Sequence, residues 1–343
     1  MDTLPRVDDA SPLETVPCAV CHSTAARRAL VRPPVDEFLG RLDVDDRRSS
    51  WVVCEDCGLV FQSPRPGPAA LDRMYVGGEY HEVRGGIPEH YVRYSLRRST
   101  AALAWGLDQP ALRGRRGRAL DIGAGIGGAL VGLRDRGWEV RGVEPDPHLA
   151  AFGRRRFGLD ITDGFFDERT FAPGEAFDLA YSCHVWEHLA DPAATSAAAH
   201  RVLAPAGGHL LIVVPTFRRS RTLAWSYFNA AHTYMFTATS LSNVLEGAGF
   251  ETVAHRYVSG GDSELWLLAR AADAAPAGPI AAESARVVQR ELASVPLRVP
   301  LGLAGRGADH LRTLRRDPRD FAQRTVRSLA YRAERLRGAV GRR

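Results

Sequence analysis

Four of the five cysteines in this 343-residue chain fall into two Cys-x-x-Cys pairs, Cys18/Cys21 and Cys54/Cys57. Each pair offers two thiolates one turn apart, and together they complete a tetrahedral four-sulfur shell of the kind that holds Zn2+. A closed four-thiolate shell leaves no position for a substrate, so the expected role is structural. The interval between the pairs exceeds the common spacing of about 15–20 residues. A redox role would call for a thioredoxin-like βαβ context, which neither pair opens. The fifth cysteine, Cys183, reads as a buried thiol.

A second constellation begins at Asp121-Ile122-Gly123-Ala124-Gly125-Ile126-Gly127-Gly128, which closes an apolar strand pattern and opens a helical one. Glycines there let backbone approach a bound cofactor where a Cβ would collide. About twenty residues on, the next strand pattern ends in Glu144, where a carboxylate can accept both ribose hydroxyls of an adenosine. Gly123, Gly125 and Gly128 also satisfy the dinucleotide pattern G-x-G-x-x-G, so a nicotinamide or flavin oxidoreductase stays open. The carboxylate of Asp121 at the strand tip favours a cation and repels a diphosphate. That points to S-adenosylmethionine (SAM), which carries an ammonium and a sulfonium.

Further along, His184-Val185-Trp186-Glu187-His188 supplies groups that can move a proton near neutral pH. His188 and Glu187 are the first candidates for deprotonating an acceptor, with His232 and Tyr234 second. The same five residues fit H-x-x-E-H, a zinc-peptidase signature that needs both histidines on one long helix.

Elements that would position these groups are legible as alternating apolar runs and helical patterns, the sign of βαβ units and a largely parallel sheet. Strands are expected at Arg118–Ile122, Glu139–Glu144, Phe177–Ser182 and His209–Val214. Two more, Glu251–Tyr257 and Glu264–Ala269, are close enough to pair as an antiparallel edge. Residues 1–17 read as a flexible tail, 18–66 as a zinc-ribbon-like four-cysteine module closed by the Pro64–Pro68 turn chemistry, and 67–115 as a helical bridge or lid. Residues 116–270 form the α/β domain. Residues 271–343 read as a linker and an Arg-rich helical extension.

Composition agrees with a globular protein: 45% of residues are hydrophobic and the formal net charge is +5. The charge is uneven, with thirteen arginines and four acids between Arg298 and Arg343, and there is no lysine. Ala322, Val326, Leu329, Ala333, Leu336 and Val340 recur at helical steps there, giving an amphipathic basic helix that could face nucleic acid, an anionic membrane surface or the protein itself. No stretch of eighteen apolar residues is present, and the first residues lack the basic-then-apolar layout of a signal peptide, so a cytoplasmic protein without a transmembrane segment is expected.

Five ordered motifs carry a family resemblance: Asp121–Gly125 (D-I-G-A-G), Gly142-Val143-Glu144-Pro145, Phe177–Ser182, Glu187-His188-Leu189-Ala190-Asp191-Pro192 and Arg201–Gly208. Together with Phe236-Thr237 and Gly249-Phe250 they resemble the class I SAM-dependent methyltransferases over about residues 116–270. The resemblance implies a Rossmann-like, doubly wound, mostly parallel seven-stranded α/β sheet. It implies cofactor contacts from Asp121, Gly123, Ala124, Gly125 and Glu144, with the adenine near Phe165. The N-terminal C-x-x-C…C-x-x-C-G-L-V-F module is similar to that of zinc-binding methyltransferases acting on deoxysugars and other natural products. This implies a small-molecule or nucleotide-sugar acceptor. An RNA methyltransferase and a non-catalytic SAM-fold binding protein are the alternatives.

Overall fold

The computed structural model describes residues 13–24, 27–31, 50–76, 86–219, 231–259, 263–272 and 280–294. The basic helix expected near the C-terminus lies outside the described residues, as does most of the tail and of the insertion between the cysteine pairs.

Strands run β1 (Leu13–Glu14), β2 (Arg27–Val31), β3 (Trp51–Cys54), β4 (Val60–Gln62) and β5 (Arg65–Pro66). Helices α1 (Pro68–Val76), α2 (Glu89–Arg98) and α3 (Thr100–Leu107) follow, filling the expected bridge. The α/β domain then alternates β6 (Arg118–Ile122), α4 (Gly128–Arg134), β7 (Glu139–Glu144), α5 (Pro147–Phe157), β8 (Ile161–Asp163), β9 (Leu179–Cys183), α6 (Pro192–Leu203) and β10 (His209–Pro215). It ends with β11 (Tyr234–Met235), α7 (Ala238–Gly247), β12 (Phe250–Val258) and β13 (Glu264–Ala271), and α8 (Ala285–Ala293) comes last.

Local chemistry sets the helix starts. Asp146 and Asp191 each cap a helix by accepting backbone N–H bonds and are each followed by proline at the first helical position. Thr237 and Ser240 form a reciprocal capping box at the start of α7.

The main sheet has the order β12-β13-β10-β9-β6-β7-β8. Its five strands from β10 to β8 are parallel, and β13 runs antiparallel between β10 and β12. This is the expected doubly wound, seven-stranded sheet, with the antiparallel edge where the sequence places it. The three-residue β8 is the strand that periodicity did not reveal. Wholly buried stretches such as His209–Pro215 show why the central strands read as unbroken apolar runs. Among the described residues no helix is long and apolar enough to cross a membrane.

Strand order reverses at β6, which pairs with β7 on one side and β9 on the other. In open α/β sheets a ligand crevice forms outside the carboxyl ends of the strands at such a switch point.

The cysteine module is not a detached bead. Its sheet has the order β11-β4-β3-β2, so β11 of the α/β domain serves as its edge strand, with Tyr234 opposite Phe61 and Met235 opposite Val60. Helix α8 packs on the other face, where Ala285, Val288 and Leu292 meet Trp51, Val53, Val60, Phe217 and Met235. Within the expected tail, β1 pairs with β5.

At the opposite end of β10, His209 is buried, and neither of its ring nitrogens finds a hydrogen-bond partner among the described residues. Burial, aided by the positive charges of Arg115 and Arg270, lowers its pKa from 6.5 to about 4. The neutral form therefore belongs to the folded state. Stability should be full above pH 6.5 and fall as the pH drops toward 4, by about 2 kcal/mol at pH 5 from this group alone. Thermal melts of the wild type and His209→Phe between pH 7.5 and 5 check this; the variant should show the flatter dependence.

Candidate active site

Asp121 lies next to the end of β6, Glu144 ends β7, and both are buried. One Glu144 oxygen accepts the Gly125 N–H (2.7 Å) and the other accepts the Asp146 N–H (2.9 Å). The strand-end carboxylate thus ties the glycine loop to the turn that starts α5. Gly123 and Ala124 both donate to the Val143 carbonyl, which holds the loop against β7.

Two loop glycines are required by geometry. Gly123 has φ +77°, and a Cβ there would sit 2.3 Å from the Val185 side chain. At Gly128 a Cβ would meet the Ser95 carbonyl oxygen at 2.4 Å, so α2 can cross α4 only over a glycine.

These elements enclose a cavity of about 600 Å³ at the switch point. Asp121, Gly123, Ala124, Gly125, Glu144 and Phe165 all line it, so every cofactor-contact residue expected from the sequence is brought together. Phe165 is 44% exposed at the cavity, whereas Phe166 packs toward Phe171. Burial raises the Asp121 pKa to about 8, helped by the neighbouring Glu144 charge. Burial likewise raises Glu144 to about 7, against the two amide bonds that favour its ionised form. Two close carboxylates in a largely apolar cavity favour a ligand that brings positive charge and hydroxyl donors.

Beyond β9 the chain turns sharply. His184 adopts a left-handed backbone, φ +59°, and Trp186–His188 form a single 3₁₀ turn. The two histidines of H-x-x-E-H therefore do not share a long helix, which removes the geometry of the peptidase reading. His184 Nε2 lies 3.1 Å from Glu264, and its Nδ1 lies 3.3 Å from Glu187. Glu187 is fully buried and burial raises its pKa to about 8.

His188 lines the cavity. Its Nδ1 is 2.8 Å from the Ala231 carbonyl, which can only accept, so the neutral ring carries its proton on Nδ1 and presents Nε2 as the base. That Nε2 is 3.7 Å from Glu187 Oε1. The His232 ring stands edge-on to His188 at 4.6 Å between centroids and does not itself line the cavity. Glu187, His188 and His232 offer ligand atoms all within 4.8 Å of one another.

Tyr234 departs from expectation. Its hydroxyl accepts from Arg65 (3.1 Å), its ring stacks on Phe236, and it does not line the cavity. The strand pairing of β11 with β4 draws it into the contact with the cysteine module. Cys183, expected as a plain core thiol, is half-buried and lines the cavity.

Sequence reasoning missed Tyr75, Tyr91, Tyr94 and Arg98, which line the cavity from α1 and α2. Their signal was present as a helical spacing of large polar-tipped side chains at 91, 94 and 98, one stripe of α2. Burial, together with the charges of Glu144 and Asp146, pushes Tyr91 up to about 12.

The four cysteine sulfurs also converge. Cys18 and Cys57 sulfurs are 3.4 Å apart, as are those of Cys21 and Cys54, and all four lie within 4.8 Å of one another. Four sulfurs on a tetrahedral zinc at about 2.3 Å would be separated by about 3.8 Å, so the cluster has the size and donor set for that ion.

The loop geometry gives a direct test. Gly123→Ala would combine an unfavourable φ with the Val185 clash, and should destabilise the fold by about 1–3 kcal/mol. Urea unfolding measures the loss, while Gly125→Ala, whose Cβ would meet nothing within 4 Å, should cost less.

Residues 89–255 match a family described as "Methyltransferase domain". An "Uncharacterized methyltransferase" of Staphylococcus carnosus is 32% identical over 73 residues, 21% of this chain and 34% of that protein. A "Probable S-adenosylmethionine-dependent methyltransferase" of Mycolicibacterium smegmatis is 33% identical over 136 residues, 38% of this chain and 51% of that protein. The chain thus spans about half the length, or less, of these curated relatives. Among solved structures, a 1,6-didemethyltoxoflavin-N1-methyltransferase from Burkholderia thailandensis is 21% identical, with a TM-score of 0.45, covering 67% of this chain and 98% of that one. The family match contains all the described cavity-lining residues except Leu71, Asp72 and Tyr75. The sheet that builds this cavity is Rossmann-like, doubly wound and seven-stranded, and most of it lies within the residues similar to the methyltransferase-domain family.

Proposed function

We propose that this chain is a SAM-dependent methyltransferase acting on a small-molecule or sugar acceptor, with a structural zinc ion in its four-cysteine module. The observation that carries the reading is the pair of buried carboxylates, Asp121 and Glu144, facing one cavity at the switch point of the sheet. Glu144 keeps lone pairs for the ribose hydroxyls beyond those used by Gly125 and Asp146. Asp121 faces the cationic part of the cofactor, and Phe165 offers an apolar face to the adenine. A dinucleotide would place its diphosphate against these same carboxylates, which disfavours the oxidoreductase alternative.

The bound cofactor supplies an electrophilic methyl group on a sulfonium, whose C–S bond breaks, with the electron pair left on sulfur, as the bond to the acceptor forms. The protein then has two tasks: holding the acceptor in line and removing one proton. His188 is the group for the second task, because its Nε2 is the basic atom and its ring lines the cavity. The proton goes to that nitrogen, which has the Glu187 carboxyl 3.7 Å away. His232 packs against the same ring. Tyr234 serves in this reading as a structural side chain instead of a base. An acceptor hydroxyl or an activated carbon would both fit such a base. The Arg-rich segment on which an RNA substrate would depend lies outside the described residues.

Binding by calorimetry tests the cofactor assignment. SAM should bind with micromolar affinity, NADH should not bind, and Asp121→Asn and Glu144→Gln should each weaken SAM at least tenfold. The two carboxylates have raised pKa values, about 8 and about 7, and a cationic ligand needs them ionised. Affinity should therefore be greatest above pH 8 and fall as the pH drops, approaching about tenfold per pH unit for each group still to be deprotonated. Protons should be released on binding, visible as a heat that changes with the ionisation enthalpy of the buffer.

Metal analysis tests the module. The purified protein should carry one zinc per chain, and Cys54→Ser should lose it together with several degrees of melting temperature.

A further inference from the structure

We propose that Arg65, a residue of the cysteine module, is the positioning residue of the His188–His232 pair. The inference extends the reading of His188 as the base, yet its test needs no acceptor.

Arg65 is 5% exposed, and each of its donor nitrogens has a separate destination. Nε donates to Glu14 Oε1 (3.1 Å), one terminal nitrogen to the Tyr234 hydroxyl (3.1 Å) and the other to the Ala190 carbonyl (2.8 Å). The guanidinium also lies over the Tyr234 ring, 5.7 Å from its centroid. Two of these anchors have a specific meaning for the site: Ala190 lies two residues after His188, and Tyr234 lies two residues after His232. One rigid, planar group therefore grips both histidine-bearing segments at the same offset.

The residues between complete the clamp. Thr233 sends its hydroxyl to the Leu189 carbonyl (2.7 Å) and its amide to the Glu187 carbonyl (2.6 Å). Gln62 of the module takes the Thr233 carbonyl through its own amide (2.9 Å). The segment with His232 is thus an edge strand of the module on one side and a splint for the His188 turn on the other.

A buried arginine is an expensive way to fill space, since apolar side chains of similar volume serve stability as well or better. Its fixed donors supply direction instead, and here both terminal nitrogens are directed at two segments far apart in sequence. A four-cysteine shell has no room for substrate, so its contribution to the site is to hold the strands that carry Arg65 and Gln62 in place. Glu14, from the strand that pairs with Arg65 itself, fixes the third edge of the guanidinium.

The test uses full-length protein with 13C-labelled histidine and follows the His188 and His232 rings by NMR, with SAM calorimetry and a thermal melt alongside. In the wild type the two rings should show a cross-relaxation contact. Arg65→Met should abolish the contact, while SAM affinity stays within about threefold. Arg65→Lys should keep only part of the contact, because an ammonium cannot make the same fork. Tyr234→Phe removes one anchor and keeps the stacked ring, and should weaken the contact in the same direction; it decides the matter if Arg65→Met fails to fold. An unchanged histidine contact in a folded Arg65→Met protein, or in Tyr234→Phe when Arg65→Met does not fold, would overturn the proposal. Loss of SAM binding in the unmodified protein would instead sink the cofactor assignment and leave this result standing by itself.

Discussion

The end of the cavity at the glycine loop depends on the Glu144 carboxylate being held by two backbone amides. One bond goes back to the glycine loop and one goes forward to the turn that starts α5, so a single side chain sets the distance between the first and second βα units. The loop glycines are then consequences. Gly123 must take a left-handed φ beneath Val185, and Gly128 must allow α2 to lie against α4. Because the two amides are satisfied from within the protein, the carboxylate is oriented before any ligand arrives. Its raised pKa records the cost of keeping it in an apolar wall.

At the other end the constraint is a strand pairing. β11 is only two residues long, and a two-residue strand has little stability by itself. It exists because β4 of the cysteine module offers it an edge, and because α8 covers the far face with Ala285, Val288 and Leu292. The four-cysteine module and the α/β domain therefore share a sheet and a core, and the His232 segment runs along the seam between them. A division at residue 66 follows the sequence motifs but cuts through this shared sheet.

What the sequence made legible follows from periodicity and spacing. Buried parallel strands read as apolar runs, and six of the seven fell where expected. β8 escaped because Ile161–Asp163 is too short to show a period. That Asp121, Gly123, Gly125 and Glu144 meet at one cavity was legible because loop, strand tip and acid are fixed in number along one βαβ unit. The place of Tyr234 away from the cavity was not legible, for the opposite reason: its partner, Arg65, lies 169 residues away, and no local pattern reports a strand pairing with so distant a module. Residues 67–115 read as a helical bridge, but the tyrosines of α1 and α2 were not legible as cavity wall, since a stripe on a helix does not say what it faces. Arg65 was visible only as part of a Pro-Arg-Pro turn.

His184 shows how both ends meet. It is a non-glycine residue with a positive φ, a conformation that costs of order 1–3 kcal/mol and persists only where neighbours over-determine it. Here the neighbours are identifiable. Its amide donates to Val213 of β10, its Nε2 reaches Glu264 of β13, and its Nδ1 reaches Glu187 in the following turn. The strained residue is therefore held from two strands of the main sheet, and the chain leaves it directed into the 3₁₀ turn that presents His188. The sheet fixes where that turn begins, the seam with the cysteine module fixes where it ends, and the His188 ring between them is left with little freedom to move. For a reaction in which the protein must hold two partners in line and take one proton, such restriction is the main contribution a scaffold can make.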